Sequence, residues 1–322
     1  MYNIAIIGSG QLGSRHLQGI KTANLELSIE VVDSNIEALR IAEDRYNEIK
    51  GNQYIKNVSF LSSIDELRDR LDLVIIATGS APRFTITKQL IERKHVDNII
   101  FEKVLFQNEE SFFAIEELLR NNGVNAWVNC PRRMFDYYKD IKRELNDADK
   151  LIITVSGGEW GLGCNSIHFI DIFSYLSKQT SYTLLTNGLN KKVYPSKRSG
   201  YIEFCGILSG ITERGDIINL ISQENSSITP LISIVSKNIK FVIDETNGFM
   251  TSFKDNSWET SKITVPYQSQ LTGRLIEDVL LNKNSNITKY EESMNLHLPF
   301  ITSILDYYNF LTGENSKNCP IT

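Results

Sequence analysis

A lysine and a glycine turn are the features of this chain whose surroundings suggest chemistry. Lys103 follows Glu102 and the short apolar run Asn98-Ile99-Ile100-Phe101. If that run is a strand of a parallel sheet, Lys103 stands at its carboxyl end, where open α/β sheets bind ligands. A partly desolvated lysine there can move a proton to or from a substrate hydroxyl. Gly8-Ser9-Gly10-Gln11-Leu12-Gly13 has the GxGxxG spacing and lies between a strand pattern and a helix pattern. In that setting the first glycine permits a tight turn, the second admits a pyrophosphate and the third lets helix and strand pack, while the helix start offers amides to phosphate. Asp33, twenty residues after Gly13, is placed to accept from the adenosine ribose hydroxyls and to repel a 2′-phosphate. The expected cofactor is therefore NAD in preference to NADP, with Arg15 and Arg40 as the arginines able to swing toward a phosphate. Thr78 and Glu102, at two further strand ends, join Gly8, Gly10, Gln11, Leu12, Gly13 and Asp33 as expected cofactor contacts.

The elements that must hold these residues alternate in the first third of the chain. Strand patterns at 3–7, 27–33, 58–61, 73–78, 98–101 and 125–129 are separated by amphipathic stretches such as 35–49 and 109–120, the rhythm of a doubly wound parallel sheet. Ser63 with Glu66 three residues later predicts a reciprocally capped helix start. Beyond Cys130, helix patterns at 135–146 and 167–176 flank a strand at 151–155 and a glycine-rich turn. Strand patterns then follow at 182–186, 201–208, 217–222, 232–235, 240–243 and 249–253, and helix patterns at 270–281 and 291–311 close the chain. Short runs broken by Asn, Gly and Asp predict a large, mostly antiparallel sheet. The expected organisation is a Rossmann domain over 1–124 and a substrate-binding and oligomerisation domain of α+β type over 125–322.

Composition narrows the class further. A chain of 322 residues exceeds the size at which single cores stop growing, about 250–300 residues. With 41% hydrophobic and 23% charged residues it reads as globular, and no apolar run reaches the roughly 18 residues of a membrane span. The N-terminal run is short, lacks a preceding basic segment and enters a glycine turn, so it reads as a strand and not a signal. Cys130, Cys164, Cys205 and Cys319 show neither CxxC spacing nor disulfide-scaffold density, which fits a cytoplasmic location. A net charge of −5 without a basic stripe argues against nucleic-acid binding, and no metal site is assigned.

The chain resembles the Gfo/Idh/MocA oxidoreductases, the glucose-fructose oxidoreductase and inositol dehydrogenase family, along almost its whole length. The resemblance rests on Gly8 to His16, on Glu102-Lys103 at the family's EKP position, on Asn129-Cys130-Pro131-Arg132-Arg133, and on Ser166-Ile167-His168-Phe169-Ile170-Asp171 in a helix before the large sheet. It implies that Lys103 and His168 are the catalytic pair, that the cofactor is NAD or NADP, and that hydride passes between nicotinamide and a secondary alcohol of a sugar, nucleotide sugar or polyol. It also implies a homodimer or homotetramer formed through the second-domain sheet. Two departures stand out. Val104 replaces the proline, and Cys164 occupies the place of an aspartate four residues before the histidine. A thiol titrates near 8.5 and accepts hydrogen bonds poorly, so it does not inherit a carboxylate's task.

Three readings follow from Cys164: Asn165 orients a hydroxyl instead, Cys164 lines the pocket passively, or the protein binds its dinucleotide as a sensor without turnover. The first two together are preferred, with a hydrolase or lyase using tightly held NAD as a further alternative. The glycines of 157–163 would permit close approach of a ligand, with Trp160 against a sugar face. Arg132 is a candidate for an anionic substrate group, although ion pairing is the commoner use of such an arginine. Asp171, one helical turn from His168, is more often an ordinary hydrogen-bonder, His95 and His297 read as structural, and His16 either approaches the phosphates or packs.

Overall fold

Strands form where β-branched and aliphatic residues run together, and helices where apolar residues recur at helical spacing. The computed structural model describes residues 1–322. It begins β1 (Tyr2–Ile7), α1 (Gln11–Ile20), β2 (Leu27–Val32), α2 (Ile36–Asn47), β3 (Ile55–Leu61), β4 (Arg70–Leu71), β5 (Leu73–Ile76) and α3 (Ser80–Arg93). Next come β6 (His95–Val96), β7 (Asn98–Phe101), α4 (Glu109–Asn122), β8 (Asn125–Val128), α5 (Asp136–Glu144), β9 (Ile152–Gly158) and α6 (Leu162–Ser177). The strands β10 (Thr183–Leu189), β11 (Tyr194–Pro195), β12 (Ile202–Glu203), β13 (Gly206–Ile211), β14 (Ile217–Gln223), β15 (Leu231–Val235), β16 (Lys240–Asp244), β17 (Phe249–Lys254) and β18 (Ser257–Lys262) follow. The chain closes with α7 (Gln268–Asn282), β19 (Thr288–Lys289) and α8 (Tyr290–Thr312).

The first compact unit comprises Met1–Phe106, Glu110–Pro131 and Pro266–Glu291. Its sheet runs β3-β2-β1-β5-β7-β8-β19, parallel except for β19. Leaving aside the small β4–β6 pair, this is the 3-2-1-4-5-6 order of the doubly wound dinucleotide fold with one antiparallel strand added. Ile4, Ile6, Ile29, Ile75, Ile99 and Phe101 are buried, as strands covered on both faces require.

A cut at residue 125 does not follow these units. Residues 125–131 stay with the first because β8 pairs in register with β7, Asn98 opposite Asn125. Helix α7 stays with it because it crosses α1 at two glycines: a Cβ on Gly19 would lie 2.8 Å from Thr272 Cβ, and one on Gly273 would lie 2.0 Å from Thr22 Oγ1. The capping signal at Ser63 also resolves differently. It opens only a 3-10 turn, Ile64–Glu66, and Glu66 accepts from Ser62 rather than reaching back to Ser63. Asn35 is the cap of a full helix, accepting from Glu37 N and Ala38 N at 3.0 and 3.3 Å.

The second unit comprises Gln107–Glu109, Arg132–Val265 and Glu292–Thr322. Its eight-stranded sheet runs β10-β13-β14-β9-β15-β16-β17-β18, antiparallel except for the parallel β9–β14 pair at its centre. Ile153, Val155, Ile218, Leu220, Ile232, Ile234, Phe241 and Ile243 form the buried face, with α6 packed against β14. The other face is not uniformly apolar. Register places Ser209, Asn219, Thr154 and Ser233 in one polar row, flanked by a row through Ile211, Ile217, Ile152 and Val235 and another through Ile207, Ile221 and Leu231.

Candidate functional site

In the first unit the parallel register brings the expected cofactor residues to one edge. Val32, Ile7, Ile76, Phe101 and Val128 form a continuous rung, and the next amides close it: Gly8 N donates to Val32 O (2.8 Å), Ala77 N to Ile7 O (2.8 Å), Glu102 N to Ile76 O (3.0 Å) and Asn129 N to Phe101 O (2.8 Å). Asp33, Gly8, Thr78 and Lys103 therefore leave the sheet side by side at its carboxyl end. At the usual strand spacing, Lys103 sits roughly 10 Å across the edge from the glycine turn.

The three motif glycines have different causes. Gly8 adopts φ +94°, and a Cβ there would lie 2.9 Å from Thr78 N. A Cβ on Gly13 would lie 1.8 Å from Gly8 O. Both are demanded by the chain itself. A Cβ on Gly10 would meet nothing within 4 Å, and Gly10 is exposed as the N-cap of α1 with no side-chain capping bond. Nothing within the chain demands a glycine there, and the uncapped α1 amides, beside exposed Gln11 and half-buried Leu12, suit a pyrophosphate.

Asp33 is held toward this turn, its Oδ2 accepting from Ser9 N (2.7 Å) and Ser9 Oγ (3.1 Å) and its Oδ1 from Asn35 N (2.9 Å). It stays half-exposed. Arg15 donates to Gln18 Oε1 (2.7 Å) and Arg40 pairs with Glu37 (2.8 Å), so neither arginine attends Asp33. Thr78 Oγ1 and Asn129 Oδ1 are buried at the same edge without a hydrogen-bond partner.

Lys103 is half-buried, and the Lys103–Val104 peptide is cis. The loop that follows is tied by Arg83, a fully buried residue that sequence reasoning does not single out. Its guanidinium donates to the carbonyls of Val104, Thr78 and, at 2.9 Å, Leu105. Where a proline would constrain the backbone by its ring, this chain constrains it by a cation on three carbonyls. Glu102 is not turned to the edge as a cofactor contact. It is 3% exposed and receives His16 Nε2 (2.8 Å) and Asn129 Nδ2 (2.6 Å) on one oxygen. His16 thus goes to Glu102 and not to the phosphates.

In the second unit α6 begins at Leu162, five residues earlier than its apolar periodicity suggests, and carries Cys164, Asn165 and His168. Cys164 and His168 lie one turn apart on one face. The carboxylate absent from position 164 is present from another direction: Glu203 Oε2 accepts from Gly163 N (2.6 Å), its Oε1 from Cys164 N (3.2 Å), and the Cys164 thiol donates to the same group. Burial raises the Glu203 carboxyl above the usual range, opposed by these bonds. A single Glu inside the apolar run Tyr-Ile-Glu-Phe-Cys was the available signal.

The remaining candidates are occupied within their own unit. Trp160 donates to Ile221 O (2.8 Å) and meets Phe169 edge-on, which is a packed corner. Asn165 Nδ2 donates to Trp160 O (2.8 Å). Arg132 pairs with Glu245 (2.6 Å) and stacks on Phe169, so its charge is already answered. Burial of Glu245 raises its carboxyl, and Arg132 with Tyr137 and Tyr138 more than reverses this, leaving it below the usual range. Asp171 pairs with Arg133 (2.8 Å), and Arg133 also holds Glu292. The glycines of 157–163 admit the chain's own atoms: added Cβ atoms would meet Pro230 at Gly157, Ser226 at Gly158, Asn165 at Gly161 and Glu203 at Gly163.

No curated protein sequence matches the chain. In fold it is similar to the UDP-N-acetylglucosamine 3-dehydrogenase GnnA from Acidithiobacillus ferrooxidans (13% identity, 97% of this chain and 99% of that one, TM-score 0.72). It is also similar to a Gfo/Idh/MocA family oxidoreductase from Vibrio cholerae (15%, 97% and 100%, 0.71) and to the super-repressor mutant of Gal80p from Saccharomyces cerevisiae (12%, 96% and 96%, 0.71). At these identities the likeness is one of fold. Residues 2–130 match the model of the oxidoreductase family with NAD-binding Rossmann fold. Over those residues the chain is similar to the NAD-binding domain of the Gfo/Idh/MocA oxidoreductases.

Proposed function

We propose that the protein is an NAD-dependent dehydrogenase or reductase acting on a secondary alcohol of a sugar, nucleotide sugar or sugar-like polyol. The observation that carries this reading is Lys103, set half-buried at the carboxyl end of β7 on the edge that also holds the Gly10 opening and Asp33. Bound nicotinamide supplies the hydride acceptor or donor. Gly10 and the α1 amides take the pyrophosphate, and Asp33 takes the adenosine ribose. With Arg15 and Arg40 engaged elsewhere, the Asp33 carboxylate favours NAD over its 2′-phosphate form. Lys103 Nζ receives the hydroxyl proton; His168 keeps the role of orienting a substrate hydroxyl that the family resemblance gives it.

Two further features belong to this proposal. The isoleucine rows on the open face of the second sheet, exposed at Ile152, Ile207 and Ile211, support self-association into a homodimer or homotetramer. Four cysteines outside any disulfide, and no helix long and apolar enough to cross a membrane, fit a cytoplasmic enzyme.

The test is a panel of sugars, sugar acids and nucleotide sugars assayed with NAD and NADP, with Lys103→Met and Cys164→Asp variants in parallel. Lys103→Met should retain NAD binding while turnover falls by about 10²- to 10⁴-fold. Retention of most turnover would defeat the assignment. The thiol at position 164 favours one alternative, a dinucleotide-binding sensor. Exchangeable NAD without substrate-dependent NADH across the panel would select it.

A further inference from the structure

Beneath the dinucleotide edge lies a closed polar network formed entirely within the first unit. His16, on the second turn of α1, is fully buried, as is Thr272 of α7; Glu102 and Asn129, which extend β7 and β8, are 3% and 2% exposed. His16 Nε2 faces Glu102 Oε1 at 2.8 Å, and His16 Nδ1 faces Thr272 Oγ1 at 3.0 Å. Asn129 Nδ2 donates to Glu102 Oε1 (2.6 Å) and to Gln268 Oε1 (2.9 Å), and Gln268 Nε2 donates to Thr272 Oγ1 (3.2 Å).

The Thr272 hydroxyl has one proton, within reach of both Gln268 O, one turn earlier in α7 (3.0 Å), and His16 Nδ1 (3.0 Å), so the Nδ1 side is satisfied with either tautomer. The Nε2–Oε1 contact needs a proton of its own, because a bare imidazole nitrogen and a bare carboxylate oxygen would repel at 2.8 Å. Flipping Asn129 would set its oxygen against Glu102 Oε1 and Gln268 Oε1, so its orientation is determined as well. One imidazole thus joins the helix behind the glycine turn to the residue immediately before Lys103.

Resting on the dehydrogenase reading above, we propose that His16 is a positioning residue: through a shared proton it fixes Glu102, and with it the backbone from which Lys103 is presented, relative to the dinucleotide-binding helix. Glu102 is joined to Lys103 by a single planar peptide at the bend that follows β7, so anchoring Glu102 limits the backbone positions from which Lys103 is presented. The effect falls on turnover and not on cofactor affinity, because the α1 amides and Asp33 lie outside the network.

The geometry supplies its own controls. A glutamine at position 16 places an amide nitrogen near the site of Nε2 and can still donate to Glu102; an asparagine places one near Nδ1 and reaches only Thr272. His16→Gln should keep kcat within about 5-fold, while His16→Asn and His16→Leu lose about 30- to 100-fold, the scale of a misplaced catalytic group. NAD dissociation constants should stay within about 3-fold for all three, the α1 amides that hold the phosphates being untouched. Equal losses in His16→Gln and His16→Asn, or losses that follow NAD affinity, would overturn the role. A second readout stands apart from activity. Proton NMR of the wild type should show a slowly exchanging imidazole N–H resonance that disappears in His16→Gln and moves in Glu102→Gln. Its absence from the wild type would refute the shared proton even in a fully active enzyme. Persistence of turnover in Lys103→Met would instead sink the dehydrogenase reading and leave the resonance to be judged alone.

Discussion

The heads of α1 and α6 are both glycine-rich helix starts, and the chain uses them in opposite ways. At α1 the N-cap Gly10 has no side chain capping it and no atom where its Cβ would be. At α6 the N-cap Gly161 turns through φ +81°, and the amides of Gly163 and Cys164 are already taken by Glu203. A helix N-terminus carries partial positive charge and orphan donors, and either an incoming anion or an internal carboxylate can satisfy it. The first head carries no side-chain cap, and the second is closed by the protein. Glycine content alone does not tell the two apart; what a Cβ would strike does.

The largest effect that would sharpen this contrast is on stability. Gly13→Ala drives a Cβ into the Gly8 carbonyl, where backbone cannot give way, and should cost more than about 3 kcal/mol, read by urea unfolding. Gly163→Ala meets the end of the Glu203 side chain at 2.9 Å and should cost about 1–2 kcal/mol. Equal costs would remove the distinction between a backbone-imposed glycine and one that yields.

Next in size is a binding effect without a folding effect. Gly10→Ala has room in the chain, so its stability should change by less than about 1 kcal/mol. The same Cβ stands where a pyrophosphate must approach, and NAD affinity should weaken by about 30- to 100-fold, a loss of roughly 2–2.7 kcal/mol, measured by calorimetry. Unchanged NAD affinity would mean that the α1 head is not the phosphate site.

How far this contrast was legible in the residues depends on the range of the interactions. The first-unit strands follow from local apolar runs, so 98–101 coincides with β7, and 27–33 and 125–129 exceed β2 and β8 by one residue each. The glycine turn, Asp33 and Lys103 are equally local, since strand ends and glycine spacing place them. The edge strand β18, Ser-Trp-Glu-Thr-Ser-Lys, is exposed throughout, carries no apolar signal and pairs only because β17 lies beside it. The run 201–208 splits into β12 and β13 where Gly206 adopts φ +107°. Arg83, Glu203 and the partners of Arg132 and Trp160 lie beyond such reasoning, because each interaction joins residues distant in sequence and only the folded backbone brings them together. The glycines of 157–163 mislead for the same reason: the atoms that need the space come from Glu203, Ser226 and Pro230.

The smallest effect tests whether the α6 head is closed by a charge or merely by a shape. Glu203→Gln keeps the volume and one acceptor oxygen but gives up the bond to one of the two α6 amides, and should cost about 1 kcal/mol at neutral pH. Its pH dependence is more telling. Burial raises the Glu203 carboxyl in the folded protein, so the folded state holds its proton more tightly than the unfolded chain does. That contribution to stability is fully present below the unfolded carboxylate value, near 4.3, and is lost as pH rises through the higher folded value. The melting temperature of wild type minus that of Glu203→Gln should therefore increase as pH falls from 7 toward 4.5. The variant lacks only this titration, so the other carboxylates cancel in the difference. A difference that shrinks on acidification would mean that Glu203 is held as a stabilised anion on the helix dipole, making the α6 head an anion site satisfied from within and the counterpart of the α1 head.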